Sequence, residues 1–310
     1  MPEAVELREP PTAVRALTHV LRWMPLGRYR LIYESRRFAT APFMARLAPD
    51  LGALAFQCDL RDSVAREVCY TGRYEPQETQ LASRLLRRGD VFVDVGANWG
   101  YFTLAAAHWV GDSGRVLAFE PEPRLFKLLL MNLEANALRQ VVPRRLAIAD
   151  GAGRIPFTAF AASGDNWGQT HTVDTGTTPD FVADAAALDD VLDAKVIDRV
   201  ALTKIDVEGG EAAALAGMQR GLRAGRYAYI LIECHPLLLR RRGHGEQDTL
   251  RPLLDARYRL WTIPHTPQLH RLAARRQLST CELLRAYVPG AFDASWPHLL
   301  AAAPGAPDPA

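Results

Sequence analysis

The chain has 310 residues, of which 48% are hydrophobic and 23% are charged, and its formal net charge is +2. This composition matches an ordinary soluble globular protein, and so small a charge does not indicate a nucleic-acid partner. The length fits one large α/β unit with an attached N-terminal region, or two small domains.

Residues 1–52 are interrupted by prolines and predict a helical or irregular N-terminal extension. Six arginines lie between positions 22 and 46, interleaved with aromatic residues. One interpretation is a patch for an anionic partner or a membrane surface. The other, which we favour, is a solvated face whose aromatic side chains pack on the main domain.

From Asp90 onward, strand and helix patterns alternate, and they predict a doubly wound, mostly parallel sheet with right-handed crossovers. We place this domain at residues 53–290. The small, proline-rich tail at 291–310 is expected to be partly disordered. The predicted strands are 91–95, 115–120, 141–149, 200–205, 227–233 and 258–263. The predicted helices are 99–110, 125–138 and 211–222, with a hairpin around 154–160 and a long loop over 161–180.

The four cysteines, Cys58, Cys69, Cys234 and Cys281, lie far apart and form no C-x-x-C pair. We therefore expect reduced thiols, without a zinc site or a disulfide framework. The N-terminal sequence lacks the basic start and apolar core of a secretory signal. No apolar run approaches the roughly 20 residues that span a bilayer. These features predict a soluble, cytoplasmic protein.

The strongest motif is V-F-V-D-V-G-A-N-W-G-Y-F-T at residues 91–103, which follows a strand and opens a helix. Gly96 allows a sharp turn beneath a ligand, and Gly100 lets the helix start close to the strand. Asp94 is placed to accept hydrogen bonds from a ligand ammonium, and the backbone amides near Asn98 suit a ligand carboxylate. The turn is not G-x-G-x-x-G, which favours S-adenosylmethionine (SAM) over a dinucleotide with its pyrophosphate.

Glu120 ends the next strand, 24 residues after Gly96. A carboxylate at this position can accept both hydroxyls of a ribose. NAD enzymes use the same device, so Glu120 alone does not separate the two cofactors. Together, the glycine turn and Glu120 indicate a nucleoside-binding α/β domain.

The chain resembles the FkbM family of SAM-dependent methyltransferases in seven segments that occur in the family's order. The combination of D-V-G-A-N-x-G with K-I-D-V-E-G-x-E is more specific than either piece. The segments are T-G-R-Y-E-P-Q-E-T (71–79), G-D-V-F-V-D-V-G-A-N-W-G-Y-F-T (89–103), F-E-P (119–121), N-L-E-A-N (132–136), A-L-D-D-V-L (187–192), L-T-K-I-D-V-E-G-G-E (202–211) and Y-I-L-I-E-C-H (229–235).

The resemblance implies a class I methyltransferase fold, which is Rossmann-like with seven strands, one of them antiparallel. It also implies methylation of a hydroxyl on a sugar, glycolipid or polyketide-type product. The family often has histidine where this chain has Gly210. The residues implied around SAM are Asp94, Gly96, Asn98, Gly100, Tyr101 and Glu120, with Asn132 supporting the pocket and the adenine near Arg145–Ala147.

In open α/β sheets, reacting groups gather beyond the carboxyl ends of the strands. Asp206 follows the fourth core strand, and Glu233 and His235 end the fifth. We predict Asp206, His235 and Glu208 as catalytic residues, with His235 or Asp206 as a general base worth roughly 10²–10⁴-fold. The alternatives are helix capping for Glu208 and Glu211, and a structural hydrogen-bonding role for His235.

Trp167 and His171, in the loop 161–180, are predicted to bind the acceptor together with Glu233. An aromatic face and several hydrogen-bonding groups suit a sugar. The alternative is an ordinary polar surface loop, and His171 is a spare candidate for the base.

Two further functions compete with O-methyl transfer to a small-molecule acceptor. One is an NAD(P)-dependent oxidoreductase, and the other is a non-catalytic binding module with a SAM fold. Within the methyltransferase hypothesis, Mg²⁺ could acidify the acceptor hydroxyl. Its candidate ligands are Asp206, Glu233 and His235.

Overall fold

The computed structural model describes residues 8–23, 31–32, 34–38, 41–159, 166–168, 170–173, 178–293 and 296–309. The strands are β1 (Phe43–Arg46), β2 (Ala55–Cys58), β3 (Val91–Val95), β4 (Arg115–Phe119), β5 (Val141–Arg144), β6 (Ala147–Ile148), β7 (Gly153–Thr158), β8 (His171–Thr172), β9 (Phe181–Ala186), β10 (Val200–Ile205), β11 (Tyr227–Glu233), β12 (Arg259–Ile263), β13 (Arg285–Ala286) and β14 (His298–Ala302). The α-helices are Thr12–Trp23, Ser63–Thr71, Pro76–Leu85, Tyr101–Val110, Pro123–Ala135, Leu188–Asp193, Glu211–Ala216, Gln219–Arg223, Pro236–Arg241, Glu246–Asp255, Pro267–Ala273 and Thr280–Leu283.

Eight strands form the central sheet in the order β13–β12–β14–β11–β10–β3–β4–β5. The five strands from β11 to β5 are parallel, and β14 runs antiparallel to both of its neighbours. This arrangement confirms the predicted class I methyltransferase fold. It has one strand more than expected, because the short β13 pairs with β12 at the edge.

The two faces of the sheet bury alternate side chains of the same strands, as the two-residue period of a strand requires. Phe92 of β3 belongs to one buried cluster, and Val93 and Val95 belong to the other. Both faces are covered, so the inner strands are mostly apolar. Because β4 and β5 lie on one side of β3 while β10 lies on the other, the strand order reverses between β3 and β10, and ligand clefts form at such a switch point.

The predicted elements of the core agree with the structure within a few residues, with two exceptions. The predicted helix 211–222 is two helices, because Gly217 passes so close to Ala149 that a Cβ would lie 1.9 Å from its carbonyl oxygen. The predicted strand 141–149 is divided between two sheets. Its second part, β6, pairs with β9.

The prediction of a disordered C-terminal tail is wrong for residues 298–302. These residues form β14, which lies between β11 and β12, and Leu299 and Leu300 are fully buried. The segment is short, and two of its five residues are alanine, a weak strand former, so it does not stand out from the proline-rich sequence around it.

The predicted domain boundary at residue 52 falls inside an antiparallel pair, because β1 pairs with β2. Asn136 holds this pair to the core by hydrogen bonds to both the amide and the carbonyl of Ala55. The predicted arginine and aromatic patch lies partly outside the described residues, which omit Arg28, Tyr29, Arg30 and Tyr33.

A second sheet of four strands, in the order β6–β9–β7–β8, borders the central one. The predicted hairpin at 154–160 corresponds to β7, which pairs antiparallel with both β8 and β9. The predicted loop 161–180 contains β8, and its residues 161–165, 169 and 174–177 lie outside the described residues.

Two predictions concern the chemistry of the whole chain. All four cysteines are free, as expected, and three of them are buried. None of the helices in the described part of the chain is long and apolar enough to cross a membrane.

Candidate active site

A cleft opens at the carboxyl ends of the central strands, between the main sheet and the smaller one. It gathers nine of the predicted site residues from the loops after β3, β4, β5, β10 and β11. Five other predicted residues, Gly100, Asn132, Trp167, His171 and His235, do not line it. Those that line it are Asp94, Gly96, Asn98, Tyr101, Glu120, Ala147, Asp206, Glu208 and Glu233.

The glycines of the turn are required by close backbone packing. Gly96 has a φ of +85°, and a Cβ there would lie 1.8 Å from the carbonyl oxygen of Asp206. Gly100 has a φ of +89°, and its Cβ would meet the side chain of Leu129 at 2.5 Å. Gly96 therefore lets the loops after β3 and β10 touch, which fixes Asp206 beside the cofactor turn.

Asp94 is a buried carboxylate at the end of β3. Its Oδ2 accepts a 2.6 Å hydrogen bond from the hydroxyl of Thr103 in the following helix. Burial raises the pKa of Asp94 to about 6, although the nearby Lys204 and Thr103 act in the opposite direction. The carboxylate is thus short of positive charge, and a ligand ammonium would supply it.

Glu120 holds the glycine turn from the neighbouring strand. Its Oε2 accepts a hydrogen bond from the amide of Asn98 at 2.8 Å, and its Oε1 accepts one from the amide of Glu122 at 2.9 Å. Burial raises the pKa of Glu120 to about 8, despite these two bonds. Each carboxylate oxygen has a second lone pair, so both can still accept a ligand hydroxyl.

Tyr101 and Ala147 line opposite parts of the cleft, but Asn132 stands behind it. The side-chain amide of Asn132 donates to the carbonyl of Trp99 at 2.8 Å and accepts from the amide of Gln57 at 2.6 Å. Asn132 is fully buried. Asn132 therefore supports the turn from behind and does not itself line the cleft.

Trp167 is not presented to the cleft as predicted. Its indole stacks on Trp99 with ring centroids 5.6 Å apart, and the Arg61 guanidinium lies over the Trp167 ring, 5.6 Å from its centroid. Its backbone amide donates to Asp62. His171 also lies outside the cleft lining, whereas Thr170 and Thr172 beside it contribute to that lining. The alternation of side chains along β8 accounts for this exchange.

Lys204 is absent from the predicted site, yet it is the cation at its centre. Its buried ammonium lies 3.0 Å from Asp206 Oδ2 and 3.7 Å from Glu75 Oε2. Burial alone would lower the pKa of Lys204, but these carboxylates, Glu233 and Asp94 raise it above its ordinary value. A lysine within a strand that is otherwise buried and parallel is unusual, and this feature of the sequence could have identified Lys204 as a candidate site residue.

His235 is enclosed by carboxylates. Its Nδ1 lies 2.7 Å from Glu211 Oε1, and its Nε2 lies 3.2 Å from Glu208 Oε2 and 3.5 Å from Glu233 Oε1. Burial would lower the pKa of His235, but these partners raise it to about 11. The imidazole is a cation at neutral pH, so it cannot accept a proton from a substrate.

Glu208 lines the cleft with a carboxylate that is 18% exposed. Burial raises the pKa of Glu208 to about 8, with a smaller opposing effect from His235. Its φ is +45°, a backbone conformation that non-glycine residues seldom adopt. The capping alternative applies better to Glu211, whose Oε1 accepts the amide of Gly209 at 2.9 Å.

Residues 94–260 match the methyltransferase FkbM domain. The chain belongs to the FkbM methyltransferase family. It is 32% identical over 235 residues to the 31-O-demethyl-FK506 methyltransferase FkbM of Streptomyces tacrolimicus, covering 62% of this chain and 82% of that protein. It is 29% identical over 165 residues to the hexuronic acid methyltransferase AglP of Haloferax volcanii, covering 53% of this chain and 63% of that protein.

The FkbM methyltransferase of Methylobacillus flagellatus, a solved structure, aligns with 89% of this chain and 59% of its own, at 17% identity and a TM-score of 0.42. Gly210, where the resemblance led us to expect histidine, lines the cleft of this FkbM-family chain. Two basic residues outside the predicted set, Arg242 and His244, line the cleft as well. The basic character of this wall therefore comes from the segment after β11.

The predicted magnesium ligands of this FkbM-family protein do converge, with one ligand atom each from Asp206, Glu233 and His235 within 4.8 Å of one another. The donor set nevertheless fits magnesium poorly. Lys204 already supplies the positive charge beside Asp206, and the third donor, from His235, is a nitrogen rather than an oxygen. Mg²⁺ prefers oxygen ligands in octahedral geometry, which a protonated imidazole cannot provide.

Proposed function

We propose that this protein is a SAM-dependent O-methyltransferase that acts on a hydroxyl of a small acceptor. The observation that carries the proposal is the position of two buried carboxylates, Asp94 and Glu120, on either side of the glycine turn. They line one cleft together with Asp206, Glu208 and Glu233. The cofactor site and the acid–base groups thus share a single opening at the switch point of the sheet.

The residues of the cleft fit SAM. Asp94 suits the ammonium of the methionine part, because its carboxylate is buried and its bond from Thr103 leaves lone pairs free. Glu120 suits the ribose hydroxyls. Ala147 and the neighbouring Leu146 and Ile148 offer an apolar wall for the adenine. When bound, SAM would supply a methyl group on a sulfonium, and an oxygen nucleophile can attack the methyl carbon and displace the sulfur.

Glu208 is the group we assign as general base. It lines the cleft, and its pKa of about 8 lies near neutral pH, where a base is most effective. With SAM bound, the Glu208 carboxylate would accept the hydroxyl proton as the acceptor oxygen bonded to the methyl carbon, and the sulfur would leave as a neutral thioether with the electrons of the broken bond. Asp206 is engaged by Lys204, and His235 orients Glu208.

The acceptor class is proposed from the relatives and the cleft together. The relatives named above act on a hexuronic acid and on 31-O-demethyl-FK506. Glu233 of this chain lines the cleft and remains the predicted acceptor ligand that the geometry favours. We therefore propose an acceptor hydroxyl on a sugar, a glycolipid or a polyketide-type product, and no step through magnesium.

Cofactor binding tests the proposal directly. Titration calorimetry should show that SAM and S-adenosylhomocysteine bind the wild-type protein and that NAD does not. Asp94→Asn should weaken SAM binding by about tenfold or more, because the ammonium loses its charged partner while Thr103 keeps a hydrogen-bond acceptor.

The matched control is Asp90→Asn, which changes a carboxylate just before the opposite end of the same strand, outside the cleft. It should bind SAM as the wild type does. Binding of NAD alone would overturn the proposal, and so would equal SAM affinity in the Asp94 variant. A mass-spectrometric screen of hydroxylated sugars and lipid-linked glycans for a methyl-sized gain would then identify the acceptor.

A further inference from the structure

A second cavity lies beside the cleft and shares two of its lining residues, Tyr74 and Glu233. His265 and His298 line it as well. Neither histidine belongs to the predicted site or to the matched FkbM domain, which ends at residue 260. The cavity therefore adds chemistry that the family assignment does not explain.

The sheet brings these residues together from distant parts of the chain. His298 begins β14, and the antiparallel register pairs it with Ile263, the last residue of β12. His265 follows two residues later, so both imidazoles lie at the same edge of the sheet. Glu78 reaches this edge from the first turn of the helix Pro76–Leu85.

Both histidines point at the same carboxylate oxygen. His265 Nε2 lies 2.5 Å from Glu78 Oε1, and His298 Nδ1 lies 3.0 Å from it. The two imidazole rings are stacked, with centroids 3.8 Å apart and planes inclined by 21°. Two imidazolium cations would repel each other at this distance. Protonation of both histidines is therefore an unfavourable way to neutralise the negative charge of Glu78.

Glu78 is itself incompletely satisfied. Its side chain is 3% exposed, and its Oε2 is buried without a hydrogen-bond partner among the described residues. A buried carboxylate oxygen without a partner costs free energy, which a bound cation would offset. This bare oxygen belongs to the group on which the two imidazoles converge.

We propose that Glu78, His265 and His298 bind a divalent first-row transition-metal ion, for which zinc is the probe. One ligand atom from each residue lies within 4.8 Å of the others. Two imidazole nitrogens and one carboxylate oxygen are donors that zinc and its neighbours accept, and three protein ligands leave a position open for a water or substrate oxygen. The site uses none of the cysteines, whose spacing indicates no zinc site.

The other nitrogen of His298 supports this assignment. Its Nε2 lies 3.8 Å from Glu233 Oε1, so a carboxylate stands behind the imidazole on the side away from Glu78. Histidine ligands of metals commonly face such a carboxylate, which orients the ring. Glu233 also lines the cofactor cleft, so a single side chain would lie between the ion and the proposed reaction site.

The test is metal binding by the full chain, measured without reference to turnover. After dialysis against a chelator, titration calorimetry with zinc should give one ion per chain, and cobalt(II) should give the visible absorption of a bound ion. His265→Gln should weaken zinc binding by about 100-fold or more, since even loss of an outer partner costs about 10–100-fold. His265 is partly exposed, and glutamine can still donate to Glu78.

Two variants serve as controls. His270→Gln changes a histidine that lines the same cavity but faces Glu67 at 3.1 Å, and it should keep wild-type zinc affinity. Asp206→Asn should also keep it, because Asp206 belongs to the other cluster. Absence of stoichiometric zinc in the wild type would overturn the proposal. A second outcome would also overturn it: the His265→Gln variant keeps both its zinc binding and the wild-type denaturation midpoint, while the Asp206→Asn variant loses zinc binding.

Discussion

At the scale of single residues, His235 and Glu208 have protonation states opposite to those usual for their types. Three carboxylates hold His235 as a cation, with a pKa of about 11, while burial holds Glu208 near a pKa of 8. A histidine at the end of a strand is the usual choice for a base. Here its neighbours make the adjacent glutamate the better proton acceptor.

Glu208→Gln should lower kcat by about 10²–10⁴-fold while changing the affinity for SAM little, because a base acts in the transition state and not in cofactor binding. The amide oxygen can still accept from His235 Nε2, which lies 3.2 Å from the carboxylate. Single-turnover rates with labelled SAM and titration calorimetry separate the two effects. Glu134→Gln, which removes an exposed carboxylate on the helix Pro123–Ala135, is the control. Undiminished turnover in Glu208→Gln would place the base elsewhere.

The residues around the cofactor turn could be predicted because local sequence determines their positions. Asp94 lies near the end of one strand, and Gly96 and Asn98 follow that strand directly. Lys204 could not be placed in the same way, because its role depends on the register that sets it opposite Asp94 across β3 and β10. The position of Trp167 could not be predicted either, because it is set by stacking on Trp99, which is 68 residues away along the chain.

At the scale of elements, the parallel strands could be predicted and β14 could not. Strands such as β10 and β11, of six and seven residues, are mostly apolar in sequence and almost fully buried. β14 has five residues, His-Leu-Leu-Ala-Ala, and its burial depends on the pairing with β11 and β12. Tertiary contacts, and not local propensity, make it a strand.

Leu300→Ala tests the burial of β14. Leu300 is fully buried, so its truncation should lower the free energy of unfolding by about 2–5 kcal/mol. Leu254→Ala makes the same chemical change on a helix at a side chain that is 46% exposed, and it should cost much less. Urea denaturation of both variants gives the comparison. Equal, small losses would mean that this segment does not belong to the folded sheet.

At the scale of the whole molecule, the cofactor cleft is built on buried charge. Burial raises the pKa of Asp94 to about 6 and that of Glu120 to about 8, and Asp62, beneath Trp167, also has a pKa of about 6. Sites arranged for binding or catalysis often carry such unfavourable groups. In this fold Asp94 and Glu120 line an opening in which a positively charged cofactor would offset their charge, whereas Asp62 lies outside its lining.

The stability of the ligand-free protein should therefore fall between pH 5.5 and pH 8.5. The folded state binds protons on Asp62, Asp94 and Glu120 more tightly than the unfolded state, whose carboxyls ionise near pH 4. The binding of these protons therefore stabilises the folded state fully below about pH 4. This stabilisation is lost progressively as the pH rises to about 8. His235 acts in the same direction, because its pKa of about 11 exceeds its ordinary value of 6.5 and its stabilisation is lost as pH rises between them. Glu233, with a pKa lowered to about 2, opposes this trend below the tested range.

Each group contributes a slope of at most about 1.4 kcal/mol per pH unit while the two states differ in protonation. Urea denaturation in the presence of a chelator, at constant ionic strength, measures the free energy of unfolding at the two pH values. Glu120→Gln should show a smaller decline than the wild type, since it lacks one titrating group. Saturating SAM should also reduce the decline, because its ammonium and sulfonium favour the ionised carboxylates. A stability that is constant or rises over this range would mean that these carboxyls are already ionised in the folded protein across it. Their negative charge would then be balanced by the protein itself, and the cleft would have no unbalanced charge for a cationic cofactor to offset.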